Sequence, residues 1–153
     1  MTDARAAASL RAKPLAPGRL PALREALRAA GLPADDLEAE GVSLFAFKED
    51  DVVVGYGGLE TYGKDALVRS LVVLPAHRRR GVGRRIVAAL LAEAARLRAS
   101  RAYLLTTDAQ AYFAALGFAA VDRRAAPPAI LATRQASTLC PAAAALMVKA
   151  TTP

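Results

Sequence analysis

Apolar residues along this chain recur with two periods, one of about two residues and one of 3.6, and the changes between them mark the elements. A strand is predicted over 9–15 and is closed by Pro17-Gly18. Pro21 then opens a helix in which Leu20, Leu23, Leu27 and Ala30 keep helical spacing, and Gly31 and Pro33 stop it. Asp35, Asp36, Glu38 and Glu40 read as a solvated acidic connection. Two strands, 42–47 and 52–59, flank a tight turn at Lys48-Glu49-Asp50-Asp51, and a second turn at Tyr62-Gly63-Lys64-Asp65 leads to a strand over 67–73. From 82 to 98 the pattern is an amphipathic helix with Ile86, Val87, Leu90, Leu91, Ala94 and Leu97 on its apolar face. A strand at 102–106 follows, then an Ala-rich helix over 108–116 ended by Gly117. The pattern closes with a strand at 118–123, an irregular or short helical stretch from Pro127-Pro128 to Gln135, and a weak strand at 142–148. The order is that of an α/β chain: a mixed sheet with helices on both faces.

Composition narrows this picture. Apolar residues make up 54% of the 153, but Ala supplies 38 of them, which leaves enough larger side chains for one core and too few for two. A single domain over residues 1–153 is therefore expected, with 1–8 as a flexible N-terminus. Charged residues at 23% beside this apolar content exclude wholesale disorder. No apolar run reaches the roughly 18 residues of a membrane span, and none near the N-terminus has signal-peptide length. One Cys, Cys140, and one His, His77, leave no basis for an internal disulfide, a metal site or a catalytic triad, so a cytoplasmic location and no metal are expected.

Charge adds a location. The net charge is +7, and 17 of the 21 basic residues are Arg. Between 66 and 92 lie six of them, Arg69, Arg78, Arg79, Arg80, Arg84 and Arg85, with His77 and no acid. Such a field attracts an anion: a phosphorylated cofactor, an acidic substrate or nucleic acid. The segment Leu71-Val72-Val73-Leu74-Pro75-Ala76-His77-Arg78-Arg79-Arg80-Gly81-Val82-Gly83-Arg84 runs from a strand through a basic Gly loop directly into a helix. The first amides of a helix have no internal partner, its dipole is positive there, and glycine lets a phosphate approach the backbone. Together these describe a pyrophosphate cradle. A Walker loop is excluded because no Gly-Lys-Ser/Thr follows, and a dinucleotide fingerprint lacks its third glycine.

At these residues the chain resembles the GNAT superfamily of acyl-CoA-dependent N-acetyltransferases, whose Arg/Gln-x-x-Gly-x-Gly/Ala motif is matched by Arg78, Gly81 and Gly83. Its aromatic helix ending in Gly-Phe is matched by Tyr112-Phe113-Ala114-Ala115-Leu116-Gly117-Phe118. More narrowly, Gly58-Leu59-Glu60-Thr61-Tyr62-Gly63, the strand from Leu67 to Val73, Leu104-Leu105-Thr106-Thr107, Ala132-Thr133-Arg134 and Leu139-Cys140-Pro141 resemble the branch encoded beside arsenic-resistance genes. The superfamily resemblance implies a mostly antiparallel sheet with a splayed middle strand, acetyl-CoA as co-substrate, and in many members a homodimer. It places pantetheine along Leu71, Val72 and Val73 and the pyrophosphate on Arg78, Arg79, Arg80, Gly81, Val82, Gly83 and Arg84. The amine attacks the acetyl group directly, so no protein nucleophile is needed.

Loss of the ammonium proton calls for a carboxylate, and Glu60 is the candidate base, with a solvated turn carboxylate as its competing reading. The position that carries the thiolate-protonating Tyr in many members is Phe113, and Tyr112 lies about 100° around the helix. That leaves the acid unassigned, with Thr106, Thr107 or a water as substitutes. Arg69 reads either as a clamp for a substrate acid group or as a salt bridge to Glu60 or Asp65. Arg134 is a second clamp candidate, and Thr106 joins them as a substrate contact. The narrower resemblance implies a small anionic amino-acid-like acceptor, an organoarsenical or phosphinic amino acid. His77 reads as a solvated loop residue, Cys140 as a packed one, and Tyr56, Tyr62 and Tyr103 as packing or pocket wall. Three other functions compete: acyl-CoA binding without catalysis, acetylation of proteins, and a basic nucleic-acid module. Against the last stand the low aromatic content (5%), the absence of Trp and the lack of a recognition-helix pattern.

Overall fold

The structure, a computed structural model, describes residues 10–139 and 144–152. It contains β1 (Leu10–Pro14), α1 (Leu20–Ala29), β2 (Val42–Glu49), β3 (Val52–Tyr62), β4 (Asp65–Val73), α2 (Val82–Arg96), β5 (Arg101–Thr106), α3 (Gln110–Ala115), β6 (Ala119–Val121), α4 (Pro128–Leu131) and β7 (Ala145–Ala150). The seven strands form a sheet in the order β1-β2-β3-β4-β5-β7-β6. Strands β1 and β2 pair antiparallel, as do β5 with β7 and β6 with β7. The exception is β4 with β5, which run parallel and pair only over Asp65–Leu67 against Arg101–Tyr103. This is the mixed, mostly antiparallel α/β fold expected. The N-terminal stretch 1–8, Ser9, Cys140, Pro141 and residues 142–143 of the last expected strand lie outside the described residues.

The chain divides into two compact units, one running through Gly58 with Ser70–Leu90, the other Leu59–Arg69 with the chain from Leu91 on. In the first, Leu23 and Leu27 of α1 pack with Ala34, Leu37, Ala46, Tyr56 and Val72. In the second, Leu67, Tyr103, Ala126, Ile130 and Leu146 are buried together, with Tyr62 and Val148 against them. The β2–β3 connection is tighter than the four-residue turn expected, since Lys48 and Glu49 belong to β2. Asp50 and Asp51 both take positive φ, 51° and 66°, the two-residue hairpin geometry that matches strand twist.

Two sequence expectations need correction, and β4 departs from regular strand geometry. Asp36 is not part of a solvated face but is 2% exposed, between buried Ala34 and Leu37. Leu97 lies past the end of α2 and is 38% exposed, because the helix stops at Arg96. Strand alternation does not carry from Arg69 to Leu71. Ser70 sits between them at φ 56°, which breaks the extended repeat, and Ala66 to Ser70 are all buried.

Candidate active site

Within the first unit, the end of β4 leads into the basic loop. Val72 is buried, Leu71 and Val73 are half-buried, and Arg78 Nε donates to the Val73 carbonyl at 2.9 Å. Pro75–His77 makes one tight helical turn, after which Arg79 and Gly81 adopt φ of 66° and 75°. At Gly81 the requirement is this backbone angle and not space, since an added Cβ would meet only Arg84 Nη2, at 3.7 Å. The loop opens directly into α2, whose Val82, Gly83 and Arg84 amides precede the first intrahelical bond. Val82 is 1% exposed, so its side chain anchors the helix start and only its main chain can serve a ligand. Arg78, Arg79 and Arg84 are exposed.

Arg80 and His77 depart from expectation. Arg80 reaches Glu49 Oε1 at 3.4 Å, and its Nη2 lies 2.8 Å from His77 Nδ1. A guanidinium can only donate, so His77 accepts with Nδ1 and is not a purely solvated residue. Arg85 donates to the other Glu49 oxygen at 2.8 Å. That hydrogen bond, with the charges of Arg85 and Arg80, holds the Glu49 carboxyl below its usual range. Glu49 was not singled out from sequence, since its partners lie 31 and 36 residues away.

The second unit holds a buried polar trio. Glu60, on β3, is 5% exposed and Arg69, on β4, 4%. Arg69 Nη1 donates to Glu60 Oε2 at 2.9 Å, and the Tyr62 hydroxyl donates to Oε1 at 2.5 Å. Glu60 is therefore no solvated turn carboxylate. Of the two readings of Arg69, the structure contains the salt bridge to Glu60. Breaking one partner of such a buried pair costs about 3–5 kcal/mol, because the other charge is left stranded. Tyr62 is half-buried. Burial first, then the bond to Glu60 and its charge, pushes the hydroxyl up to about 12. Sequence reasoning gave Tyr62 a packing or pocket-wall role, although a spacing of two residues puts it on the same face of β3 as Glu60.

Thr106 is half-buried, and its Oγ1 accepts the Ala109 amide at 3.0 Å, so it caps the turn into α3. Arg134 is exposed, between buried Thr133 and Gln135. Its segment is tethered by Arg123, which donates to the carbonyls of Ala136 (3.2 Å) and Ala144 (3.0 Å). Phe113 is 9% exposed and stacks edge-on against Tyr112 and Phe118, while Tyr112 itself is 46% exposed. The two do point apart, and Phe113 offers no proton. Among the described residues no cluster of His, Cys, Asp or Glu could hold a metal, and no helix is long and apolar enough to cross a membrane.

A strand feeding a basic, glycine-containing turn at a helix start is a geometry suited to an anionic cofactor. Residues 10–118 match the acetyltransferase (GNAT) family, and the chain belongs to that family. It is similar to N-acetylglutamate synthase from Neisseria gonorrhoeae, solved with coenzyme A and N-acetyl-glutamate (19% identity, TM-score 0.77, covering 94% of this chain and 35% of that one). This chain thus spans about a third of the synthase's length. A GNAT acetyltransferase from Staphylococcus aureus (14% identity, TM-score 0.72) covers 93% of this chain and 99% of its own. An aminoglycoside 6'-N-acetyltransferase solved with coenzyme A (19% identity, TM-score 0.68) covers 94% and 98%. At these identities the likeness is one of fold. No curated protein sequence matches the chain.

Proposed function

We propose that this chain, acting as one catalytic domain, moves an acetyl group from acetyl-CoA to the primary amine of a small, anionic, amino-acid-like acceptor. The observation that carries this reading is the 71–84 segment, where β4 ends in a turn with Arg79 and Gly81 left-handed and delivers exposed Arg78, Arg79 and Arg84 to the start of α2. Amides 81–84 and these arginines receive the pyrophosphate, and the main chain of Leu71, Val72 and Val73 lines the pantetheine. Arg80 contributes less than its position suggests, since Glu49 and His77 already hold its guanidinium. The amine loses one proton toward Glu60 and attacks the thioester carbon; the C–N bond forms, the C–S bond breaks, the second amine proton passes to water, and the thiolate leaves without help from position 113.

Exposed Arg134 meets the acceptor's acid group. Arg69, bound to Glu60, acts on the acceptor mainly by fixing that carboxylate, with Thr106 as a further contact to the acceptor. The resemblance of 58–63 and 67–73 to the arsenic-resistance branch makes an organoarsenical or phosphinic amino acid the acceptor class to try first.

Thermal melts with acetyl-CoA, free adenine nucleotide and a DNA duplex test the cofactor half. At acetyl-CoA about 100 times its Kd, stabilisation of about 2.7 kcal/mol is expected. A rise with DNA and none with acetyl-CoA would overturn it. Thiol release with a phosphinic glutamate analogue, glutamate, spermidine and an aminoglycoside then tests the acceptor, and the anionic amino acids are expected to react fastest. Preference for spermidine would refute the anionic reading.

A further inference from the structure

We propose that Tyr62 is a catalytic residue that relays the acceptor's ammonium proton to Glu60. The proposal rests on the reading of Glu60 as proton acceptor given above. Both oxygens of that carboxylate are already engaged, Oε1 by Tyr62 and Oε2 by Arg69. Glu60 and Arg69 are almost fully enclosed, at 5% and 4% exposure, whereas Tyr62, at the end of β3 before the Gly63 turn, is half-buried. Of the three, Tyr62 is the one with an exposed part, so the relay has the ammonium approach from its side and reach the Tyr62 oxygen before the enclosed carboxylate. That oxygen donates its hydrogen to Glu60 and keeps lone pairs to accept another.

The step balances without a further reagent. An N–H bond of the ammonium breaks as an O–H bond forms on Tyr62. The original Tyr62 O–H bond breaks as one forms on Glu60 Oε1. The amine becomes a neutral nucleophile, Tyr62 is unchanged, and Glu60 becomes a carboxylic acid that returns its proton to water by the same route. Tyr62 cannot instead serve as a tyrosinate base near neutral pH, because burial and the adjacent carboxylate hold its hydroxyl at about 12. It must give up one proton as it takes another. Arg69 holds Oε2, which keeps Oε1 turned toward the tyrosine.

The test is turnover of Tyr62→Phe and Glu60→Gln across pH, with the fastest acceptor among the phosphinic glutamate analogue, glutamate, spermidine and the aminoglycoside. Below the pKa of the acceptor's amine, Tyr62→Phe is expected to lose about a hundredfold in kcat. Its KM for acetyl-CoA should stay within about twofold of wild type, since only general acid–base catalysis is removed. Above that pKa, where the amine arrives neutral, the deficit should shrink toward none, which lost packing would not produce. Wild type should also show a curved proton inventory in mixed H2O and D2O, from two protons in flight, a reading that needs no variant to fold. Full activity of Tyr62→Phe beside a crippled Glu60→Gln, a deficit equal at every pH, or a linear inventory would each overturn the relay while leaving Glu60 as base. Full activity of both variants would remove Glu60 and the relay together. No turnover with any acceptor would overturn the proposed function itself.

Discussion

Glu60 and Glu49 each accept from arginine in opposite surroundings, and the difference decides what each can do. Glu60 is enclosed with Arg69, where water cannot screen the pair. Glu49 lies near the surface, holding Arg85 and Arg80 at the edge of the basic loop, and its side chain is 18% exposed. Arginine lowers the Glu49 carboxyl. Its folded value is thus below its unfolded one, so the stability it contributes is present above the ordinary carboxylate range and is lost as pH falls through the folded value. Glu49→Gln should accordingly lower Tm at pH 7 and converge on wild type at lower pH, which a series of melts from pH 7 to acid would show. A constant difference at all pH would mean that Glu49 acts by packing alone.

Among the elements, the sheet under the loop is built on two close approaches. A Cβ at Gly55 would lie 2.6 Å from the Val72 carbonyl oxygen and 2.7 Å from Ile86 Cδ1. At Gly57 the nearest atom would be Leu90 Cδ1, at 2.8 Å, the far end of a flexible side chain. Leu90 can rotate, but the β4 backbone cannot yield without moving the strand that leads to the loop. Gly55→Ala is expected to cost about 2–3 kcal/mol and Gly57→Ala about 1, within the usual range for overpacking. Urea denaturation gives both values, and equal costs would show that β4 is freer to shift than its packing implies. The strand–loop–helix segment itself was legible in sequence, because Gly81, Gly83 and the arginines are local. The left-handed Ser70 inside β4 was not, since serine gives no turn signal within an apolar strand.

For the whole molecule, part of the +7 charge sits on Arg78, Arg79 and Arg84, exposed at the loop proposed to take the cofactor's phosphates. Acetyl-CoA affinity should therefore fall as ionic strength rises, and titrations from low to about 0.5 M salt should show Kd increasing several-fold, as screening shortens the reach of these charges. Invariance with salt would mean that the arginines stand apart from the ligand.

The sequence determined the order of elements, the basic glycine loop between strand and helix, and the phenylalanine at 113 in place of a tyrosine, because each depends on neighbours within a turn or two of the chain. Only the tertiary structure decided that Glu60 is buried with Arg69 and that Glu49 holds Arg80 and Arg85. The physical reason is range. Helical periods and turns are set within a few residues, whereas an ion pair depends on how separate strands are brought side by side, and no local pattern records that.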